Sequence, residues 1–204
     1  MKTVAHWLVF WALISYGAMA QEVSAYADSL EKHRDNYRQD FLKSAGSPLK
    51  QEDLSFLRFY DANPKFKIQA HFELTPDAEP FTMATSDGKR TAYVKFGIVS
   101  FKVNNKTYQL SVYRSPALMK MPVYRDYVFI PFRDGTSGKE TYGGGRYLDF
   151  RLRDFQNGHV TIDFNKAYNP YCAYSDGYSC PIPPRENHLT VRLEAGEKNY
   201  GKER

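Results

Sequence analysis

The spacing of hydrophobic and polar residues changes once along the chain, near Asn63 and Pro64. Before that point, apolar residues recur every three or four positions over residues 23–41, which is typical of one face of an amphipathic helix. Gly46 ends this segment, and the Ser47-Pro48 pair predicts a short second helix that runs to residue 56. The N-terminal part of the chain is therefore expected to supply helices.

After residue 64 the apolar period is two, as Phe66, Ile68 and Ala70 alternate with polar residues. Further strands are predicted at residues 81–85, 92–103, 107–113, 127–132, 146–152, 159–164 and 189–194. Turn residues separate them, including the hairpin formers Asp87-Gly88 and Asn157-Gly158. Because no helical pattern comes between these strands, we expect a mainly β fold with N-terminal helices, a single-domain antiparallel β-barrel or sandwich.

Residues 1–20 have the pattern of a secretory signal peptide, with Lys2 at the start, an apolar run and small residues before an expected cleavage ahead of Gln21. The apolar run, residues 7–16, is shorter than the ~20 residues that a membrane-spanning helix needs. We therefore expect an exported protein, periplasmic or extracellular, with no membrane insertion after cleavage. The rest divides into an amphipathic helix (21–45), a β-rich domain (46–198) and a basic tail (199–204).

The formal net charge is +5. The excess is small and spread along the chain, which favours a solvated surface over an anion-binding one. No nucleic-acid-binding motif accompanies it, so no nucleic-acid partner is expected.

The chain has two cysteines, Cys172 and Cys180. In an oxidising compartment they are expected to form a disulfide that closes a short loop. A metal site that also uses His188, or a pair of free thiols, is the alternative, but neither Cys-x-x-Cys nor His-x-x-x-His is present. We expect no metal and no cofactor.

Two long polar segments, PFRDGTSGKETYGGGRYLDF (131–150) and DFNKAYNPYCAY (163–174), mark the candidate site. Ordinary connections between strands have a median of ~4–6 residues, so long ones with dense polar chemistry usually serve a function. The candidate general bases are Glu140 and Asp163, and the candidate ligand-binding residues are Arg133, Asp134, Tyr142, Arg146, Asn165 and Asn169.

If both segments leave the same end of the sheet, these side chains converge, as acid–base chemistry or recognition of a polar ligand requires. The three glycines before Arg146 could also present backbone N–H groups to a carboxylate or another small anion. The alternative is a structural network in which Asp and Asn side chains fix turns and Arg–carboxylate pairs hold the loops. Both interpretations stay open.

The same segments carry a family resemblance. The order PFRD-x-TSG-x-ETYGGGRYLD, DFN-x-AYNPYCAY, CPIPP-x-EN and AGEK resembles the prokaryotic family known as domain of unknown function 1684. The resemblance extends from Tyr26 to Lys198 and implies a single domain. It implies no activity.

We predict an uncharacterised exported β-rich domain with one polar pocket that binds a small polar or anionic molecule. Hydrolysis of that molecule would use Glu140 or Asp163 as a general base, and whether the protein is an enzyme is left open. The alternative is a non-enzymatic interaction or structural module of the cell envelope, with the N-terminal helix or the aromatic-rich strands as its contact face.

Overall fold

The computed structural model describes residues 4–202, with the side chains of Gln21 and of all residues from Val23 onward. The predicted signal peptide, residues 1–20, and the last two residues of the predicted tail lie outside the part of the chain described in full. Within the described part, no helix is both long and apolar enough to cross a membrane.

Helix α1, Val4–Lys43, includes the predicted amphipathic segment. Its C-terminal half lies against the domain, with Leu30 and Phe41 buried, whereas Val23 is half exposed. The predicted second helix starts later than expected and is a 3-10 segment, Gln51–Phe56. The reason is local: the Leu49 backbone N–H donates to the Ser47 hydroxyl over 3.1 Å, which closes a turn instead of capping a helix.

Within residues 4–202, seven strands form one antiparallel sheet, which confirms the predicted fold class. They are β1 (Lys67–Leu74), β2 (Phe81–Ala84), β3 (Arg90–Val103), β4 (Lys106–Arg114), β5 (Tyr127–Phe132), β6 (Arg146–Arg151) and β7 (His159–Asp163). The order across the sheet is β6-β5-β4-β3-β1-β7, and β2 pairs with β3 beside this path. The β3–β4 turn uses Asn104 and Asn105 at φ 49° and 61°, the left-handed conformation that two-residue hairpin turns require.

The sheet curls into a half-barrel, so that its edge strands β6 and β7 approach each other. Just beyond β7, Tyr168 exchanges two backbone hydrogen bonds with Tyr147 of β6, of 2.9 and 3.1 Å. The interior is filled by alternate side chains of the strands, among them Val99, Val112, Ile130 and Ile162, all fully buried. Because one side of each strand fills this core, the other side is left to build surfaces.

Residues 189–194 are not a strand, contrary to the sequence prediction. Leu189, Leu193 and Ala195 are buried in the barrel core, but the backbone of the segment bonds irregularly to the β5–β6 connection. The Leu193 N–H donates to the Asp134 carboxylate over 2.7 Å, where a strand would find a carbonyl. The alternation of buried and exposed side chains in this segment therefore does not come from hydrogen bonding to a neighbouring strand.

The β4–β5 connection contains a short helix that the pattern did not predict, α2 (Pro116–Met119). The Ser115 hydroxyl caps it by accepting a hydrogen bond from the Leu118 N–H over 3.4 Å.

Candidate functional site

The first predicted ligand-binding pair, Arg146 and Asp134, lies inside the core. The Arg146 guanidinium donates to the Asp134 carboxylate over 3.3 Å and to the Leu193 carbonyl over 3.1 Å. It also donates to the carbonyls of Ala195 and Glu197. This guanidinium is 1% exposed, so its donors are used to hold the C-terminal segment against β6.

Other predicted residues of the β5–β6 connection are tied to neighbouring loops. Glu140 forms an exposed ion pair with Arg192 over 2.9 Å, and this hydrogen bond lowers the pKa of Glu140. Arg133 follows β5 directly, and its backbone carbonyl accepts from the Leu189 N–H over 2.7 Å. Tyr142 donates its hydroxyl to the Cys172 carbonyl over 3.4 Å.

Asn169 leads to a buried acid that sequence reasoning missed. Its backbone N–H donates over 2.8 Å to Glu197, whose carboxyl is fully buried and also accepts from the hydroxyls of Tyr37 (3.0 Å) and Tyr174 (2.7 Å). Burial raises the pKa of Glu197 to about 7. Its position in the AGEK motif was the one sequence signal that could have marked it.

Asp163 and Asn165 lie together at the end of β7. The Asp163 carboxylate accepts from the Tyr26 hydroxyl over 2.9 Å and from the Asn165 N–H over 3.1 Å. The Asn165 side chain bonds in turn to the backbone N–H and carbonyl of Asn63, both over 2.9 Å. Both residues line the cavity described next, whereas the predicted residues of the β5–β6 connection and Asn169 do not.

A cavity of about 1300 Å³ lies between the edge strands β6 and β7 and helix α1. Helix α1 forms one side of the cavity and contributes Tyr37. The sheet forms the opposite side and contributes Asp149 of β6 and Thr161 of β7. The chain following β7 adds Tyr168 and the loop residue Tyr178. We call this space the α1 cavity.

Asp149 is the central polar group of the α1 cavity, and sequence reasoning missed it. Its Oδ1 accepts from the Tyr127 hydroxyl over 2.7 Å and from the Tyr168 hydroxyl over 2.9 Å. The side chain is accessible from the cavity, and among the described residues it has no ion-pair partner. Enclosure by the protein raises the pKa of Asp149, while the two hydroxyl donors oppose that rise.

Aromatic rings surround this carboxylate. Tyr147 precedes Asp149 by two residues on β6, so both side chains lie on the same face of the sheet. The Tyr147 ring is 5.9 Å from that of Tyr168 and 5.7 Å from that of Phe129, and Tyr127 stacks on Phe129 at 6.2 Å. The site therefore combines an acidic acceptor with polarisable apolar walls.

The disulfide prediction agrees with the structure in its pairing. Cys172 and Cys180 are at disulfide distance, with Cα atoms 6.4 Å apart. The loop they close contributes Tyr178 and Ser179 to the wall of the α1 cavity. In the described part of the chain, no group of three or more His, Cys, Asp or Glu side chains is arranged to hold a metal ion.

The chain resembles proteins whose function is also unassigned. An uncharacterised protein of Haloarcula marismortui, solved in solution by NMR, is 31% identical and superposes with a TM-score of 0.66. The match covers 87% of this chain and 96% of that one. None of the curated proteins matches this chain. A family model described as a protein of unknown function, DUF1684, matches residues 52–198, and the chain belongs to that family.

Proposed function

We propose that the protein binds a small polar molecule in the α1 cavity, with Asp149 as the group that orients it. The observation that carries this proposal is a carboxylate that is accessible, held by two tyrosine hydroxyls and without an ion-pair partner among the described residues. A concave, largely apolar space with a few fixed polar groups is the usual form of a ligand site. Of the two polar segments that mark the site in the sequence, the proposal uses the end of the first, with Asp149, and the start of the second, with Asp163 and Asn165.

Binding is favoured over hydrolysis by the contacts of the two candidate bases. Glu140 is ion-paired, and its lowered pKa makes it a weaker proton acceptor. Asp163 lines the cavity, but its carboxylate already accepts from Tyr26 and Asn165. Catalysis through Asp163 stays a prediction.

We also propose that binding takes place outside the cytoplasm. The composition of residues 1–20 supports export, and the Cys172–Cys180 pair supports an oxidising compartment. Mass spectrometry of the protein in periplasmic and culture fractions tests this, with a mature N-terminus at Gln21 as the expected result. A protein recovered from the cytoplasm with residues 1–20 intact would contradict it.

The binding proposal is tested by placing a bulky side chain in the cavity. Thr161 of β7 and Thr107 of β4 are both exposed strand threonines, but Thr161 lines the α1 cavity. A library of small polar compounds is screened by ligand-observed NMR against the full chain and against Thr161→Trp and Thr107→Trp. Binding that Thr161→Trp removes and Thr107→Trp retains supports the proposal. Binding that both variants retain would place the ligand elsewhere.

A further inference from the structure

We propose that the α1 cavity takes a ligand with a positively charged amine, either a primary or a quaternary ammonium group, placed against Asp149. This inference rests on the proposed function and adds the chemical class of the ligand. Three features of the cavity carry it: its charge, its aromatic walls and the free side of the Asp149 carboxylate.

With its two histidines, His33 and His159, counted as neutral, the lining has a formal charge of −1. It contains four carboxylates and three Arg or Lys side chains, namely Asp40, Asp149, Asp154 and Asp163 against Arg34, Arg153 and Lys166. The cation that most affects Asp149 is Arg151, two residues along β6. The Arg151 guanidinium lies 6.0 Å from the centroid of the Tyr127 ring, and it is occupied by hydrogen bonds to Asp126 over 2.6 Å and to the Val123 carbonyl over 2.8 Å. Arg34 likewise donates to the Tyr60 carbonyl over 2.6 Å.

The aromatic side chains of the cavity also favour a positively charged ligand. Tyr127 and Tyr168 point their hydroxyls at one oxygen of Asp149, so their rings flank the carboxylate. Tyr147 contacts Tyr168 edge-to-face and extends this wall. An ammonium group near the faces of such rings is attracted by their quadrupoles, most strongly where water is displaced. An anionic ligand would instead be repelled by the Asp149 carboxylate.

The geometry of Asp149 leaves one oxygen for the ligand. Both tyrosine donors bond to Oδ1, and Oδ2 has no hydrogen-bond partner among the side chains that the structure describes. Two donors hold the carboxylate in one orientation, so a cation at Oδ2 would meet a preorganised acceptor. A primary ammonium can also donate a hydrogen bond there, whereas a quaternary one depends on charge and ring contacts alone.

The test uses three probes of nearly equal shape that differ in charge: choline, its neutral carbon analogue 3,3-dimethyl-1-butanol, and the anion 3,3-dimethylbutanoate. Affinities for the full chain are measured by NMR titration. We expect choline to bind at least about tenfold more tightly than the neutral analogue, because the Asp149 carboxylate attracts its charge in a partly desolvated site. The anion should bind weakest.

Asp149→Asn keeps the shape and both tyrosine contacts, and it should bring the choline-to-analogue ratio close to one. Glu194→Gln, at an exposed carboxylate that does not line the cavity, is the control and should leave the ratio nearly unchanged. Circular dichroism confirms that both variants fold.

The outcomes separate the two proposals. Equal binding of choline and its neutral analogue, lost in Thr161→Trp, would overturn the ammonium assignment and leave the cavity as a ligand site. The same holds if Asp149→Asn binds choline as tightly as the unmodified protein. Binding that survives Thr161→Trp would overturn both proposals, whereas no binding of choline would overturn the ammonium assignment alone.

Discussion

The guanidinium of Arg146 and the carboxylate of Asp134 meet 3.3 Å apart with side chains that are 1% and 0% exposed. Burying two charges is costly, and the cost is offset only when good geometry and further hydrogen bonds satisfy the remaining groups. Here backbone groups of the C-terminal segment supply most of those bonds, since Leu193 donates to Asp134 and accepts from Arg146, while the Nε of Arg146 has no partner among the described residues. The pair therefore joins the β5–β6 connection, β6 and the C-terminal segment.

Arg146→Met should destabilise the fold by ~3–5 kcal/mol, because it leaves the Asp134 carboxylate buried without its cation. Arg192→Met is the matched control, as it removes an arginine whose ion pairs with Glu140 and Glu194 are exposed and should change stability little. Urea unfolding measures both. An equal effect of the two substitutions would refute the structural role assigned to Arg146.

Glu197 should make stability depend on pH below neutrality. Its pKa in the folded protein, about 7, lies above the ordinary value of 4.5 because the carboxyl is buried. The folded state thus favours the protonated acid, and this contribution is full below pH 4.5 and is lost as pH rises through about 7. Through this group, the free energy of unfolding falls by at most ~1.4 kcal/mol per pH unit as pH rises.

Glu197→Gln should abolish that contribution, since an amide can accept from the Asn169 N–H and donate toward Tyr174 without titrating. Urea unfolding between pH 4.5 and 8 should show the unmodified protein losing stability relative to Glu197→Gln as pH rises. Glu194→Gln, at an exposed acid paired with Arg192, controls for surface charge. Parallel pH profiles of the unmodified protein and Glu197→Gln would contradict the prediction.

The disulfide should stabilise the loop that forms part of the cavity wall. Replacing Cys172 and Cys180 by Ser should cost roughly 2–3 kcal/mol on the chain-entropy model for a loop of this length. Thermal unfolding of the oxidised protein, the reduced protein and the double variant measures it. Identical stabilities of the three, or two free thiols in the exported protein by mass spectrometry, would count against the pairing as a stabilising bond.

Helix α1 should hold its position through its C-terminal half. A chain that begins at Gln21 keeps Leu30, Tyr37 and Phe41 and should be as stable as the full chain. A chain that begins at Ser44 loses the burial of Leu30 and Phe41 and should be less stable by at least ~3 kcal/mol. Urea unfolding of both chains decides this, and a similar loss in the two would place the stabilising contacts before residue 21.

The strands could be predicted because a half-buried strand alternates apolar and polar residues whatever its neighbours are. The same reasoning failed at residues 189–194, where Leu189 and Leu193 are buried but the backbone bonds to the Asp134 side chain and to loop residues. Burial periodicity reports which side chains face the core. It does not report what the backbone pairs with.

The candidate site was harder to predict because it depends on how the sheet closes. Alternation along β6 places Tyr147 and Asp149 on one face, but Tyr168 reaches Asp149 only because the chain beyond β7 pairs with Tyr147. The glycines and charges of the β5–β6 connection drew attention to Arg146 and Asp134, which are used within the fold. Dense polar chemistry in a loop thus marked a structural network next to the cavity.

The central claim is that a ligand occupies the α1 cavity against Asp149, and intermolecular NOEs between choline methyl protons and tyrosine ring protons test it most directly. Our account predicts NOEs to Tyr127, Tyr147 and Tyr168, and their loss in Asp149→Asn. NOEs to a tyrosine remote from the cavity, such as Tyr108 of β4, without any to these three rings would contradict it.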